Sequence, residues 1–172
     1  MNNKTMKIYL ATDHAGFEFK EKIKNFLMEK GHQVEDCGAF QLDANDDYPD
    51  FISKAAEAVA KDPNSRGIIF GGSGQGEAMV ANKFKNVRCA VFYTPCVPAQ
   101  AIDATGKTSA DPFEMLRLTR EHNDANVLSL GIRFLKEEDA KQAISLFLET
   151  AFGGEERHKR RIEKIQNLES RI

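Results

Sequence analysis

The chain has 172 residues, of which 41% are hydrophobic and 29% charged, a balance typical of one globular domain. Its formal net charge of −2 at pH 7 argues against a general nucleic-acid binder, and no apolar run is long enough to cross a bilayer. Residues 1–6 lack the apolar stretch of a signal peptide and the three cysteines form no CxxC pair, so we expect a cytoplasmic protein with reduced thiols, no disulfide framework and no zinc site.

In the first half of the chain, two predicted strands are each followed by a predicted helix. The apolar run 7–11 predicts a strand, and after a turn the helical spacing of apolar residues predicts a helix over 17–30. A weaker strand is predicted over 34–37. A polar loop then leads to a predicted helix over 49–60, whose first residue is a proline.

The second half continues this alternation and ends in a charged tail. A strand over 67–70 runs into a glycine-rich loop and a short helix over 77–83. Further strands are predicted over 88–93 and 127–130. A helix over 136–152 is then broken by two glycines, and the charged residues that follow are prone to form a helix.

Strands that alternate with helices predict an α/β fold, a three-layer Rossmann-like arrangement with a five-stranded, mostly parallel sheet and a C-terminal helical tail. We expect one domain over 1–152, with an insert at about 95–118. The tail, 153–172, would belong to the same domain or to a dimer interface. In such sheets ligands bind beyond the carboxyl ends of the strands, where Asp13 and the glycine loop lie.

The glycine loop, residues 71–76 (GGSGQG), is followed directly by Glu77. It is not a P-loop, because no lysine follows its last glycine, and it is not a dinucleotide fingerprint, because Glu77 stands where the third glycine belongs. Proton abstraction next to a carbonyl needs a base beside fixed donors for the negative oxygen, which this loop and Glu77 can provide. The alternative is that Glu77 is only an acidic first-turn residue favoured by the helix dipole.

Two further polar clusters follow in the second half. Residues 121–126 are dense in polar groups, and His122 can act as an acid or base near neutral pH, unless the segment only forms turns. Arg157 and Arg161 lie on one face of the predicted tail helix, where two guanidinium groups can grip one phosphate. The alternative is a solvated basic helix paired with nearby glutamates. The other face carries apolar residues that would dock on the core or on a second subunit.

Five segments of the chain occur in one order along nearly its whole length. They are 11–17 (ATDHAGF), 47–50 (DYPD), 71–83 (GGSGQGEAMVANK), 122–128 (HNDANVL) with Gly131 and Arg133, and Arg157-His158 with Arg161. Together they resemble the ribose-5-phosphate isomerase B and galactose-6-phosphate isomerase family. The resemblance implies an aldose–ketose isomerase without metal or cofactor. It would interconvert ribose 5-phosphate and ribulose 5-phosphate, or act on allose 6-phosphate, galactose 6-phosphate or a tetrose phosphate.

The same resemblance implies roles for individual residues. The implied catalytic residues are Asp13, Ser73, Glu77 and His122. Glu77 would move the proton between C2 and C1 through a cis-enediolate, Asp13 and His122 would assist ring opening, and Ser73 would join the loop amides in the anion hole. The implied substrate-binding residues are His14, Tyr48, Gly72, Gly74, Gly76, Asn123, Arg133, Arg157 and Arg161. Of these, the histidine and the tail arginines would hold the phosphate.

The family builds its site between two subunits, so the resemblance implies a homodimer or homotetramer in which Glu77 shares a cleft with His122 and the tail arginines. The galactose enzyme works as two unlike subunits, and the catalytic groups are incomplete in one of them. This chain carries a full set of these groups, which favours assembly with copies of itself. Many members have a cysteine base at the position of Gly71, whereas this chain resembles the glutamate branch. Residues 105–112 are interpreted as an inserted loop. Because this loop lies just ahead of His122, it could reshape the sugar pocket, so the identity of the sugar stays open.

Two alternatives from other functional classes stay open at this point. The first is a non-catalytic sugar-phosphate sensor on the same fold. The second is a nucleotide-binding module, which the glycine loop and the fold class suggest but Glu77 and the missing lysine argue against.

Overall fold

The computed structural model describes residues 5–169, so the ends of the predicted domain and of the predicted tail, and most of the segment considered as a signal peptide, lie outside the described residues. Five strands form one sheet: β1 (Lys7–Ala11), β2 (Gln33–Asp36), β3 (Arg66–Gly71), β4 (Cys89–Phe92) and β5 (Val127–Gly131). They lie in the order β2-β1-β3-β5-β4, and every neighbouring pair is parallel. The predicted parallel sheet is therefore confirmed.

The helices are α1 (Phe17–Glu29), α2 (Pro49–Lys61), α3 (Gln75–Ala81), α4 (Glu114–Asn123), α5 (Glu137–Glu149) and α6 (Glu156–Glu169). A short 3-10 helix, His14–Gly16, follows β1. The ends of the predicted strands and of the predicted helices before the tail agree with the structure to within three residues. None of the helices in the described part of the chain has the length and apolar character needed to cross a membrane.

Helix α4 is the element that the sequence did not predict, since it begins inside the stretch interpreted as an inserted connection. Of its buried side chains only Leu116 is apolar, and Arg120 takes the next inward position while being 3% exposed. An arginine at a core position interrupts the apolar repeat by which a helix is found. This helix carries His122 and Asn123, so it bears directly on the candidate site.

The three-layer arrangement follows from the alternation of strand side chains between the two faces of the sheet. On one face, Leu10 and its equivalents in β3 and β5 pack with apolar residues of α1, α4 and α5. On the other face, Ala11 and Ile69 pack with α2 and α3. Both faces are covered, which is why the three central strands, β1, β3 and β5, are apolar with little alternation.

A buried lysine ties α1 to the end of β2. Lys20 has no exposed surface, and its ammonium donates to Glu21 at 2.8 Å and to the Asp36 carboxylate. Lys24 donates to the same carboxylate at 3.0 Å, and so does the backbone N–H of Gly38. Burial alone would raise the pKa of Asp36, but these hydrogen bonds lower it overall. The ion pair fixes the start of the loop that leads from β2 to α2.

The carboxyl ends of β1, β3 and β5 meet at one edge of the sheet, as expected for parallel neighbours. The hydroxyl of Thr12 donates to the carbonyl of Phe70 at 3.0 Å, which joins the segment after β1 to β3. Gly71 at the end of β3 pairs with Gly131 at the end of β5. The loops that follow these three strands therefore lie side by side at this edge.

Candidate active site

The glycine loop at the carboxyl edge is held by its neighbours in one conformation. Gly74 has a φ of +72°, a left-handed conformation that favours glycine, and it precedes the first residue of α3. The buried Ser129 hydroxyl donates to the carbonyl of Gly74 at 2.7 Å, and the N–H of Ile132 donates to the carbonyl of Gly71 at 3.1 Å. Because these two carbonyls are already bonded, the loop is held in place before any ligand binds.

Glu77 lies in the first turn of α3 and is only 5% exposed. Its carboxylate occupies the space beside Gly71, where a Cβ atom would lie 1.9 Å from Oε1. Burial raises the pKa of Glu77, and the negative charge of Asp13 raises it further. A desolvated carboxylate with a raised pKa is a stronger base than an exposed one, which suits it to take a proton from carbon.

Asp13 and His14 follow β1 at the same edge. Asp13 is 7% exposed, and its Oδ1 accepts the N–H of Ala15 at 3.0 Å, which caps the short 3-10 helix. Nδ1 of His14 lies 2.6 Å from Oδ1 of Asp46, and this hydrogen bond is the main cause of a raised pKa of His14. Ligand atoms of these three residues lie within 4.8 Å of one another, but the imidazole and the Asp46 carboxylate are bonded to each other.

Tyr48 and Arg133 flank the glycine loop on either side. A Cβ atom at Gly76 would lie 2.6 Å from the Tyr48 hydroxyl, and one at Gly72 would lie 2.9 Å from Cζ of Arg133. A side chain at either loop position would therefore displace the tyrosine or the arginine from its present place. The hydroxyl of Ser73 faces the start of α3, where it accepts the N–H of Gln75 at 3.4 Å.

His122 and Asn123 lie at the opposite, amino edge of the sheet. The carbonyl of Asn123 accepts Nε of Arg88 at 2.9 Å, and Oδ1 of Asn126 accepts the N–H of Arg88 at 2.8 Å. These residues come just before β4 and β5 begin. Since β5 has five residues, about 13 Å of strand separates the two edges.

The tail arginines lie with His122 rather than with Glu77. The rings of His122 and His158 stack with their centroids 4.2 Å apart, and His158 is 3% exposed. Arg157 precedes that histidine and donates from Nε to Glu155 at 2.8 Å. Arg161 follows one helical turn later and is exposed. These groups form a second cluster, on α4 and α6.

The predicted site residues thus form two groups. The carboxyl-edge group contains Asp13, His14, Tyr48, Gly72, Ser73, Gly74, Gly76, Glu77 and Arg133. The amino-edge group contains His122, Asn123, Arg157 and Arg161. Within one chain the two groups lie at opposite edges of the sheet and do not form a single cleft. Sequence reasoning missed Asp46, whose one signal was its position in the polar loop before Tyr48.

Comparisons with known proteins show which family this chain resembles over most of its length. A family model described as Ribose/Galactose Isomerase matches residues 8–105 and 108–165. Ribose-5-phosphate isomerase B of Mycolicibacterium paratuberculosis is 39% identical over 164 residues, which cover 95% of this chain and 92% of the relative.

Two solved structures extend the likeness to the whole fold. Ribose-5-phosphate isomerase B from Mycoplasma genitalium, solved with bound ribulose-5-phosphate, has a TM-score of 0.84 at 34% identity, covering 99% of this chain and 100% of that chain. The Clostridium thermocellum ribose-5-phosphate isomerase B has a TM-score of 0.81 at 36% identity, covering 96% and 99%.

Proposed function

This chain belongs to the ribose/galactose isomerase family, and we propose that it is an aldose–ketose isomerase that interconverts ribose 5-phosphate and ribulose 5-phosphate. The observation that carries the proposal is the Glu77 carboxylate, buried beside the amides of a preorganised glycine loop. Its raised pKa fits a carbon base, and the amides fit an oxygen that becomes negative. The relative solved with ribulose-5-phosphate supports a pentose phosphate as the substrate.

In the proposed mechanism, Asp13 and His122 assist opening of the cyclic sugar to the free aldehyde. Glu77 then takes the proton from C2, and the electron pair moves toward C1, so that the carbonyl oxygen becomes the oxyanion of a cis-enediolate. The amides of the glycine loop and the Ser73 hydroxyl stabilise that oxygen. The proton of the C2 hydroxyl is then transferred to the C1 oxygen, which moves the negative charge to the C2 oxygen. Glu77 returns its proton to C1 while the carbonyl forms at C2, which gives the ketose. Every proton transfer at carbon is thus assigned to one carboxylate.

The phosphate end of the substrate requires groups from both clusters. His14 and Arg133 lie at the same edge as Glu77, whereas Arg157 and Arg161 lie with His122 at the other edge. We propose that a second copy of the chain completes the site, with its amino-edge group facing the carboxyl-edge group of the first. A two-fold axis makes two such sites in each dimer. The assembly is then a homodimer or a pair of homodimers.

Two further features belong to this proposal. The proposed location is the cytoplasm, in line with cysteines that are free in the described part of the chain. Residues 105–112 are proposed to shape the sugar pocket, because they precede the helix that carries His122. The family model leaves residues 106–107 unmatched within this loop.

Substitution of Glu77 by glutamine tests the proposed function. Glutamine has nearly the same shape but accepts no proton, so we expect substrate binding to persist while kcat falls by about two to four decades. The measurement is the rate of isomerisation of ribose 5-phosphate, together with exchange of its C2 proton with solvent followed by NMR. Glu57→Gln, at an exposed position of α2, is the matched control and should keep full activity. Near-normal proton exchange by Glu77→Gln would remove this carboxylate from the mechanism.

A further inference from the structure

Asp46 contacts His14 although 32 residues separate them in the sequence. Its Oδ1 accepts two hydrogen bonds from that residue, one from the backbone N–H at 3.0 Å and one from Nδ1 at 2.6 Å. The Asp46 side chain is 10% exposed, and its other oxygen is buried with no hydrogen-bond partner among residues 5–169. Asp46 belongs to the loop between β2 and α2, two residues before Tyr48.

These two hydrogen bonds determine the orientation and the tautomer of the imidazole. Because Nδ1–H donates to Asp46, Nε2 is on the far side of the ring, and the His14 side chain is 35% exposed. A buried carboxylate with one unpaired oxygen is costly unless a positive charge lies beside it. The imidazolium form of His14 provides that charge. The contact with Asp46 therefore favours the protonated ring over the neutral ring more than water does.

The charged groups around His14 come from three elements. Asp46 reaches it from the β2–α2 loop, Asp13 from the end of β1, with its Oδ2 4.0 Å from Nδ1, and Arg133 from the segment after β5. The hydrogen bond from Asp46 is the largest cause of the raised pKa of His14. Burial and the charge of Arg133 oppose it, and the charge of Asp13 adds to it.

We propose that Asp46 is a positioning residue for His14, holding the imidazole so that the Nε2–H of its charged form points at the phosphate of the bound sugar phosphate. The inference rests on the proposed function, in which His14 contacts that phosphate. Asp46 itself does not touch the substrate. Its role is to fix one donor in direction and charge, which strengthens binding of a dianion without taking part in the proton transfer at carbon.

The wild-type protein provides the first test, which needs no substitution. Nitrogen chemical shifts of His14, recorded by long-range NMR across a pH titration in the presence of EDTA, report its tautomer and its pKa. We expect the neutral ring to carry its proton on Nδ1, and the pKa to lie above the ordinary value of 6.5. A neutral ring protonated on Nε2 would overturn the proposal, and so would a pKa that is not raised.

The second test is Asp46→Asn, which keeps an oxygen acceptor but removes the charge. We expect the pKa of His14 to fall and KM for ribose 5-phosphate to rise about tenfold at neutral pH, with kcat changed much less. His14 is charged below its pKa, so KM should begin to rise at a lower pH in the variant than in the wild type. The substrate phosphate also titrates near pH 6, but it does so equally for both proteins.

Asp43→Asn is the matched control, because Asp43 is an exposed aspartate in the same loop whose side chain accepts the N–H of Asn45 at 3.0 Å, a bond that the asparagine oxygen can also accept. It should leave KM and the pKa of His14 unchanged. An active Asp46→Asn variant with unchanged KM and unchanged His14 pKa would overturn the inference. If instead the wild type fails to isomerise any sugar phosphate while Asp46→Asn still lowers the pKa of His14, the contact is supported and only the proposed function fails.

Discussion

At the residue scale, the Glu77 carboxylate lies in the place that a side chain at position 71 would need. The carboxylate of Glu77 lies where any side chain at position 71 would begin, with a Cβ there 1.9 Å from Oε1 and 2.0 Å from Cδ. A side chain at position 71, such as a thiol base, therefore cannot be accommodated while the Glu77 carboxylate keeps its present place. The absence of a cysteine at position 71 is a condition for the placement of Glu77, and it does not weaken the case for catalysis.

This overlap makes a prediction for Gly71→Ala. The added methyl group should push the carboxylate out of its place, and a displacement of about 1 Å at a reacting group can lower a rate about 100-fold. We expect kcat to fall by about that factor, with a smaller change in thermal stability, because the far end of the Glu77 side chain can move away. Steady-state kinetics with ribose 5-phosphate measures the effect.

The control for that prediction is the same change in a Glu77→Ala background. Once the glutamate side chain is absent, the methyl group at position 71 meets no carboxylate, so the double variant should be no slower than Glu77→Ala alone. Such non-additivity identifies displacement of Glu77 as the cause. If Gly71→Ala slowed both backgrounds equally, the methyl group would instead be acting on the loop backbone.

Glu77 and Asp46 differ in how far the sequence reveals them. Glu77 follows the glycine loop directly, so strand, loop and first helical turn are all local signals that place it near an anion site. The contact of Asp46 with His14 joins two loops that are distant in sequence. It depends on the order β2-β1 in the sheet and on the path of the loop after β2, neither of which a single sequence determines.

At the scale of whole elements, the sequence predicted the strands but did not predict helix α4. Runs of apolar residues predicted the three central strands, because a sheet covered on both faces requires them there, whereas β2 at the edge gave a weaker signal. Helix α4 was not predicted because Arg120 takes a position that an apolar residue would normally take. The Arg120 guanidinium donates to the carbonyl of Thr150 at 3.2 Å and to the carboxylate of Asp124 at 2.8 Å. These polar partners, Asp124 one helical turn away and Thr150 in a distant part of the chain, make the burial possible.

The buried Lys20 makes a prediction about the attachment of α1 to the sheet. Lys20→Met removes one partner and leaves the Asp36 carboxylate, 12% exposed, with a lost donor. Removing one partner of a buried ion pair costs about 3 to 5 kcal/mol of unfolding free energy. We expect a loss of about 3 kcal/mol here, because Lys24 remains as a second donor to Asp36. Urea denaturation at one fixed protein concentration measures the change, since assembly also contributes to stability.

Lys22→Met on the same helix is the control. Lys22 is 58% exposed and pairs with Glu137 at 3.2 Å, and such a surface pair contributes less than about 1 kcal/mol. Equal stabilities for the two methionine variants would show that the Lys20 ion pair adds nothing beyond a surface contact.

At the scale of the whole molecule, the two groups of predicted site residues lie at opposite edges of the sheet, so the site proposed above needs a second copy of the chain. Parallel strands place every loop after a strand at one edge and every loop before a strand at the other. The tail helix α6 extends the second group and leaves Ile165 44% and Leu168 56% exposed. Apolar surface beside the His122 cluster is what an interface between copies requires.

Heterodimers test whether the site is shared. Chains carrying Glu77→Gln and chains carrying His122→Gln are co-expressed with different affinity tags, and the mixed dimer is isolated by both tags. If each site takes Glu77 from one subunit and His122 from the other, one of the two sites in this dimer is intact, so activity should reach about half that of the wild type. Both parent homodimers should stay far below that value.

The mirror-image heterodimer pairs a wild-type chain with a chain carrying both substitutions. In a shared arrangement each of its sites contains one altered residue, so this dimer should be nearly inactive although half of its chains are unaltered. If each site were built within one chain, the two results would exchange: the wild-type chain would keep its own site, and the singly substituted pair would have none. The activities of the two heterodimers are measured side by side with ribose 5-phosphate. The shared arrangement makes the singly substituted pair the more active dimer, and a site within one chain makes the wild-type pairing the more active one, whatever the residual rate of each variant.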